Sequence, residues 1–337
     1  MAAEAGAALA LAAARKGARV LVIRNTVERA IGTLRALEAM AEPADSSLLF
    51  EVNGLATLHH SRFAPVDRTR LDSAVEAVLK PTKERASGGK VIVGTQTLEQ
   101  SLDIDADLLL TDLCPIDVLL QHIGRLHRHP LSRPPGFETA KCVVMVPEQG
   151  LAPLLAPRFE NGLGAWRNND GTYQGIYRDL ASLELTRRLV EAHPTWEIPA
   201  MNRFLLEGAT HTSAIERLHQ ELGPKWRGYH RDVFAGNLAM ETIARLHALD
   251  RTRRFESDDG SLLVYPGDEA RIRTRLGEEG ARIVFPRATD GSIWRARRRD
   301  RAAGPLVSRL AWERMSGDLI RFRRVDHVCS GRCPVYL

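Results

Sequence analysis

Two arginines three residues apart, Arg125 and Arg128, lie near the end of the stretch Val91 to His129, VIVGTQTLEQSLDIDADLLLTDLCPIDVLLQHIGRLHRH. Convergent guanidinium groups suit phosphoryl transfer, where they offset charge on the departing γ-phosphate and contribute about 10³ to 10⁵ in rate. Read as a helix end, the spacing puts both on one face. At the start of the stretch an apolar strand pattern runs into Gly94-Thr95-Gln96-Thr97. Backbone N–H groups and the hydroxyls of Thr95 and Thr97 can hold a phosphate there. A second basic feature, Trp294 to Arg301, sets one aromatic ring beside five arginines, Arg297 and Arg298 among them. That is enough to grip a nucleic-acid backbone and stack a base, and it is equally the composition of a solvated loop. Taken alone, the Arg125/Arg128 pair also fits a solvated helix end, and Gly-Thr after a strand fits a turn.

Other chemistry has less support. His327, Cys329 and Cys333 supply three ligands, but a single Cys-x₃-Cys is poor evidence for zinc, and no metal site is expected. Together with Cys114 and Cys142 these cysteines are too few and scattered for a disulfide framework, so reduced thiols are expected. His59, His60 and His193 read as capping or surface residues. The sequence contains no G-x-x-x-x-G-K-[ST]; Gly88-Gly89-Lys90 leads into Val91 and a strand, so it is not a Walker A loop. No Walker B string and no adjacent His-Asp pair of a nuclease site occurs either.

The elements that must position these residues alternate. Strand patterns are expected at Arg19 to Ile23, Ala56 to His59, Val91 to Val93, Asp107 to Thr111 and Cys142 to Val146. Helices are expected near 65 to 80 and 115 to 125, and one carrying Val27, Ala30, Ile31, Leu34 and Leu37 follows a cap at Asn25 or Thr26. Buried strands separated by helices imply a mostly parallel sheet covered on both faces. In such a sheet ligands bind outside the carboxyl ends of the strands, where Gly94 to Thr97 emerge. From Pro147 the texture becomes that of a linker, followed by helix patterns at about 176 to 192, 213 to 222 and 235 to 248. After residue 251 short strand patterns, LLVYP, ARIVFP and DLIRF, are broken by turns. The expected organisation is an α/β first domain over residues 1–148, a linker and helical segment over 149–250, and a small mixed α+β C-terminal domain over 251–337.

With 337 residues, 44% apolar and 26% charged, the composition is globular and neither disordered nor collagen-like. No uncharged apolar stretch approaches the ~18 residues of a membrane span. The Ala-rich opening reads as a helix and not as a signal peptide, so cytoplasmic residence is expected. Residues 1–150 carry seventeen basic and eighteen acidic side chains, whereas the remainder carries thirty and twenty-four. The basic excess lies in the C-terminal half, as an acidic partner such as nucleic acid requires.

These residues also carry a resemblance. GTQTLEQSLDID resembles motif V and QHIGRLHRH motif VI of superfamily 2 helicases; with PIDVLLQ they are most similar to the CRISPR-associated helicase/nuclease recruited by type I surveillance complexes. VLVIRNTVERA resembles motif IV, LHHSRFAPVDR the segment that family places between motifs IV and V, and Thr274 to Glu278 part of its C-terminal domain. The resemblance implies a RecA-like parallel sheet followed by a helical linker and a C-terminal domain. It implies that Arg125 and Arg128 contact ATP across a cleft, that Gln121 and Gly124 lie at that cleft, and that Asp103 senses nucleotide. Gly94, Thr95 and Gln96 are implied to touch a single-stranded backbone, as are Arg24, Asn25 and Arg62. His122 stands where that family usually has the first arginine of motif VI.

The expected function is therefore the C-terminal half of an ATP-dependent 3′ to 5′ single-stranded DNA translocase acting in type I CRISPR antiviral interference. A first RecA-like domain, in cis or in trans, has to hold ATP and Mg²⁺, and an RNA-guided surveillance complex is the implied partner. No membrane is implied. The rival readings are another superfamily 2 DNA or RNA helicase, distinguished by its C-terminal half, and a non-catalytic nucleic-acid-binding module.

Overall fold

The structure is a computed structural model that describes residues 3–80, 88–99, 103–156, 159–167, 173–246, 310–315 and 319–324. In chain order its elements are α1 (Ala3–Arg15), β1 (Arg19–Ile23), α2 (Val27–Met40), β2 (Glu51–Val52), β3 (Leu55–Ala56), α3 (Pro65–Leu79), β4 (Lys90–Gly94), β5 (Leu108–Asp112), α4 (Ile116–Ile123) and β6 (Lys141–Met145). Four short strands follow, β7 (Phe159–Glu160), β8 (Leu163–Gly164), β9 (Trp166–Arg167) and β10 (Tyr173–Gln174), and then α5 (Leu180–Ala192), α6 (Asn202–Thr210), α7 (Thr212–Leu222) and α8 (Pro224–Leu246). A hairpin of β11 (Leu310–Met315) and β12 (Leu319–Arg324) completes the described elements.

Four strands form one parallel sheet in the order β4-β1-β5-β6. The run RVLVI of β1 is buried throughout, as a central parallel strand with both faces covered requires. Its side chains alternate between two cores. Val20 and Val22, with Val91, Val93, Leu108 and Leu110, meet α1 and α2. Leu21 and Ile23, with Ile92 and Leu109, meet α3. In α1 the buried positions Ala7, Ala10, Ala13 and Ala14 are small, so the helix backbone lies close to its neighbours. Helix α2 begins at Thr26, whose hydroxyl accepts the Arg29 N–H at 3.2 Å, and it buries Ala30, Leu34 and Leu37. On the opposite face α3 starts with Pro65 in its first turn and buries Leu71, Val75 and Leu79 at four-residue spacing. Full burial of each such side chain contributes roughly 1.5–3 kcal/mol.

The outer edge of β4 is closed by the segment that precedes α3. Phe50 N–H donates to Val91 O at 3.0 Å, His59 N–H to Val93 O at 2.9 Å, and Thr95 N–H back to His59 O at 3.0 Å. A regular strand over Ala56 to His59 does not form: only Leu55–Ala56 pairs, with Glu51–Val52, and His59 makes a single parallel bridge to Gly94. On the other side of the sheet, Leu113, Leu154, Leu180, Leu183 and Trp226 form one core, and Cys114, Ile116, Leu119, Leu205 and Ala209 another. The helices after residue 179 thus pack on α4 and the β5–β6 end of the sheet. Helix α5 starts only at Asp179, whose carboxylate caps the Ala181 and Ser182 N–H groups. Helix α8 begins at Pro224, about three turns before the apolar spacing suggested, and α6 is an additional helix. LLVYP, ARIVFP, Trp294, Arg297, Arg298 and the His327/Cys329/Cys333 group lie outside the described residues, while DLIRF coincides largely with β12. Cys114 and Cys142 are free thiols. Among the described residues no helix is long and apolar enough to cross a membrane, and no cluster of three or more His, Cys, Asp or Glu forms a metal site.

Candidate nucleotide and nucleic-acid interface

Strand order reverses between β1 and β5, and the crevice outside their carboxyl ends is where an open α/β sheet normally takes its ligand. Here that crevice is filled. Arg24 Nε lies 2.9 Å from Asp112 Oδ2, with both side chains 1% exposed, and its second guanidinium nitrogen donates to Thr33 Oγ1 at 3.0 Å. Asn25 N–H donates to the same carboxylate oxygen at 2.9 Å, and Asn25 Nδ2 to Leu113 O at 2.8 Å. The resemblance places Arg24 and Asn25 on a bound strand; the structure turns both side chains inward, where they tie β1 to β5. Both side chains are buried to about 1% exposure and bond across to the end of β5.

The available surface is displaced to the segment after β4. Gly94 is itself enclosed: a Cβ there would stand 2.4 Å from Leu98 Cδ1 and 2.8 Å from His59 O, which explains glycine at this position. Its carbonyl accepts Arg24 N–H, and Thr95 N–H donates to His59 O, so the Thr95 N–H is already engaged. Thr95 is buried, while Gln96 and Thr97 are half-buried. Gln96 Nε2 donates to Asn25 O at 3.0 Å, and Thr97 Oγ1 lies 2.7 Å from His59 Nδ1. Arg62 stands nearby in the open, held 2.8 Å from Glu28 at the start of α2.

A second cluster forms at the end of α4. The helix stops at Ile123 with Gly124 as its cap, so Arg125 and Arg128 do not share a helical face. Instead the chain leaves through a turn in which Ala106 N–H donates to Arg125 O and His127 N–H to Ala106 O. His127, at φ 47°, bends the chain between the two arginines. Both charges still act on Asp103. Arg125 donates to Glu99 O at 2.7 Å, and Arg128 Nε lies 3.1 Å from Asp103 Oδ1, with these side chains 43% and 57% exposed. Burial and the neighbouring Arg128 charge lower the Arg125 guanidinium, while Asp103 and Glu99 oppose the shift. The His129 hydrogen bond, with help from Arg128 and Arg125, holds the Asp103 carboxyl below its ordinary range. Gln121 is exposed on the last turn of α4.

Three features escaped sequence reasoning. His59 and His60 are buried rather than surface residues, the latter stacked on Phe63 with ring centres 4.4 Å apart. His122 is fully buried between Thr111 Oγ1 at 2.8 Å and Glu99 Oε1 at 2.7 Å, so it links β5, α4 and the segment after β4. Arg133 lies 2.9 Å from both Asp105 and Asp107, clamping the turn that carries Arg125 and Arg128. The only sequence signal for these was the density of His and Asp in an otherwise apolar stretch. His193 does cap α5, at its C-terminus.

Comparison with known proteins bears on the family and the fold. Residues 16–131 match the family model described as CRISPR-associated nuclease/helicase Cas3, C-terminal. The chain is 44% identical over 96 residues to a CRISPR-associated nuclease/helicase Cas3 of Streptococcus thermophilus, covering 27% of this chain and 10% of that protein. With the CRISPR-associated endonuclease/helicase Cas3 of Escherichia coli it shares 36% identity over 139 residues, 41% of this chain and 14% of that one. A chain from Myxococcus xanthus named for the same family is 32% identical over 265 residues, 70% of this chain and 32% of its own length. A crystal structure of a CRISPR-associated protein superposes with a TM-score of 0.52 at 25% identity, over 72% of this chain and 24% of that one. The crystal structure of T. fusca Cas3-ATP does so at 0.50 and 25%, over 71% and 24%. The matched part spans about a tenth to a third of these curated relatives. Over residues 16–131 the chain is similar to the C-terminal portion of the CRISPR-associated Cas3 nuclease/helicases.

Proposed function

We propose that residues 1–148 act as the second RecA-like domain of a CRISPR-associated, ATP-dependent DNA helicase, and that the helices and hairpin after it form its linker and accessory part. The observation that carries this reading is the cluster at the end of α4, where two guanidinium groups converge on Asp103 and Glu99. Their exposure and chemistry fit the γ-phosphate end of ATP approaching from outside the chain. Nothing in the sequence cradles the β- and γ-phosphates from within, so a first RecA-like domain has to hold ATP and Mg²⁺.

ATP, bound there, supplies a phosphoanhydride whose cleavage releases the free energy for movement. Arg128 exchanges Asp103 for phosphate oxygens, because its side chain is open to solvent and its present pair is an exposed one of small net strength. Arg125, anchored on Glu99 O, ties this response to the segment after β4, and His122 adds a second tie through Glu99. Gln96, Thr97 and Arg62 then form the accessible edge for a single-stranded DNA backbone, with Arg24, Asn25, Gly94 and Thr95 holding that edge from below. An RNA-guided surveillance complex is the partner that would deliver the strand.

The test is reconstitution with the first RecA-like domain of a relative, supplied in trans or as a fusion. Arg125→Ala and Arg128→Ala each reduce DNA-stimulated ATP turnover, by about 10³-fold or more for a true finger, with little change in DNA affinity. Arg128→Lys does not rescue, because a point charge lacks the planar fork. Unchanged turnover in both alanine variants removes the assignment.

A further inference from the structure

At the edge just described, His59 bridges α3 and the segment after β4. Its ring is fully buried; Nε2 lies 2.5 Å from Asp72 Oδ1, and Nδ1 lies 2.7 Å from Thr97 Oγ1. A carboxylate only accepts, so Nε2 carries a hydrogen. In the neutral ring Nδ1 must then accept, and the Thr97 hydroxyl spends its one hydrogen on it. What Thr97 offers outward is then lone pairs only, with Thr95 Oγ1 3.4 Å away able to donate into them. A phosphodiester oxygen is also an acceptor, so this arrangement rejects it. With a second proton on the ring the polarity reverses: Nδ1–H donates to Thr97 Oγ1, and the hydroxyl hydrogen is free to turn to a phosphate.

We propose that His59, oriented by Asp72, is a positioning residue that switches the Thr97 hydroxyl from acceptor to donor, coupling engagement of a phosphodiester strand at this edge to uptake of one proton. The inference rests on the reading of that edge as a strand contact. The charged groups facing the ring are Asp72 and Arg68, both from α3; from the segment after β4 it meets the Thr97 hydroxyl. In the free protein burial pushes the imidazole below the usual histidine range, against the opposing pull of Asp72, so the ring is neutral at pH 7. A phosphate anion beside Thr97 favours the charged form. Affinity therefore rises as pH falls through the imidazole pKa of the bound state and levels off below that of the free state.

The experiment measures binding of the full chain to a fluorescein-labelled oligothymidylate from pH 8 to pH 5.5 at constant ionic strength. Thr97→Val weakens binding at the acid end by about tenfold, the loss of one hydrogen bond to a charged group, and removes the corresponding part of the pH dependence. His59→Gln flattens the same part. Asp72→Asn moves the rise to lower pH, because the imidazolium loses its carboxylate; this variant keeps the test valid if His59→Gln does not fold. Parallel pH profiles in the wild type and in Thr97→Val overturn the inference. If Thr97→Val and Gln96→Ala weaken binding with an unchanged profile, the edge reading stands without the proton switch. Wild-type affinity in both, or no binding by the wild type, overturns the edge reading and the switch with it.

Discussion

Replacing Arg24 with methionine tests whether the filled crevice is a structural post. At 2.9 Å and an effective dielectric of about 20, the attraction between Arg24 and Asp112 is roughly 6 kcal/mol, most of which offsets the removal of both charges from water. Deleting the arginine alone leaves that desolvation in place on Asp112. One oxygen keeps the Asn25 N–H, while Oδ1 has no partner among the described residues, so the orphaned carboxylate costs about 3–5 kcal/mol of stability. In urea unfolding followed by circular dichroism the midpoint drops by roughly 1.5–2.5 M at a slope of about 2 kcal/mol/M. Arg24→Met combined with Asp112→Asn recovers about 1–3 kcal/mol relative to Arg24→Met, since the charge is gone and the amide oxygen still accepts from Asn25. A loss below about 1 kcal/mol in Arg24→Met, accompanied by weakened oligonucleotide binding, would refute the reasoning and return Arg24 to the strand contact.

The isolated chain releases no phosphate from ATP, because it contains no Walker A loop; DNA-stimulated release that Arg125→Ala abolishes, read by a phosphate assay, contradicts this. Burial pushes the Cys142 thiol to about 12 and raises that of Cys114, so at pH 8 only about one Cys142 in ten thousand is thiolate; both resist iodoacetamide until urea unfolds the chain, as peptide mass spectrometry resolves. Burial also lowers His59 and His219. Each is neutral when folded and protonates more readily when unfolded, so the stability they contribute is present above about pH 6.5 and is lost as pH falls toward their folded values. His59 supplies at most about 1.4 kcal/mol per pH unit, and urea midpoints at pH 7 and 5.5 converge when His59 is replaced with glutamine.

How far the sequence revealed this arrangement depended on the kind of signal. The strands at Arg19–Ile23, Lys90–Gly94, Leu108–Asp112 and Lys141–Met145 were legible to within a residue, because strands of a parallel sheet covered by helices read as largely apolar runs. Ala56 to His59 has the same look but serves as an edge cover held by isolated hydrogen bonds, a distinction made by tertiary pairing and not by residue type. The spacing of Arg125 and Arg128 suggested a helix face; Gly124 ends the helix between them and their reach, and convergence comes from the bend at His127 and the Arg133 clamp. Arg24 shows the limit most plainly. An arginine after a strand looks like a ligand contact until an aspartate 88 positions along the chain is found beside it.

The cover on β4 has a consequence for how the chain behaves in company. A parallel edge strand with open carbonyls is a template for any other extended chain that drifts past. Phe50 and His59 occupy the Val91 and Val93 carbonyls, so residues 49 to 59 work as an internal plug against such pairing. Since His59 also hydrogen-bonds Thr97, a lesion that peels this segment away exposes a sticky sheet margin and dismantles the proposed strand-contact edge in the same event.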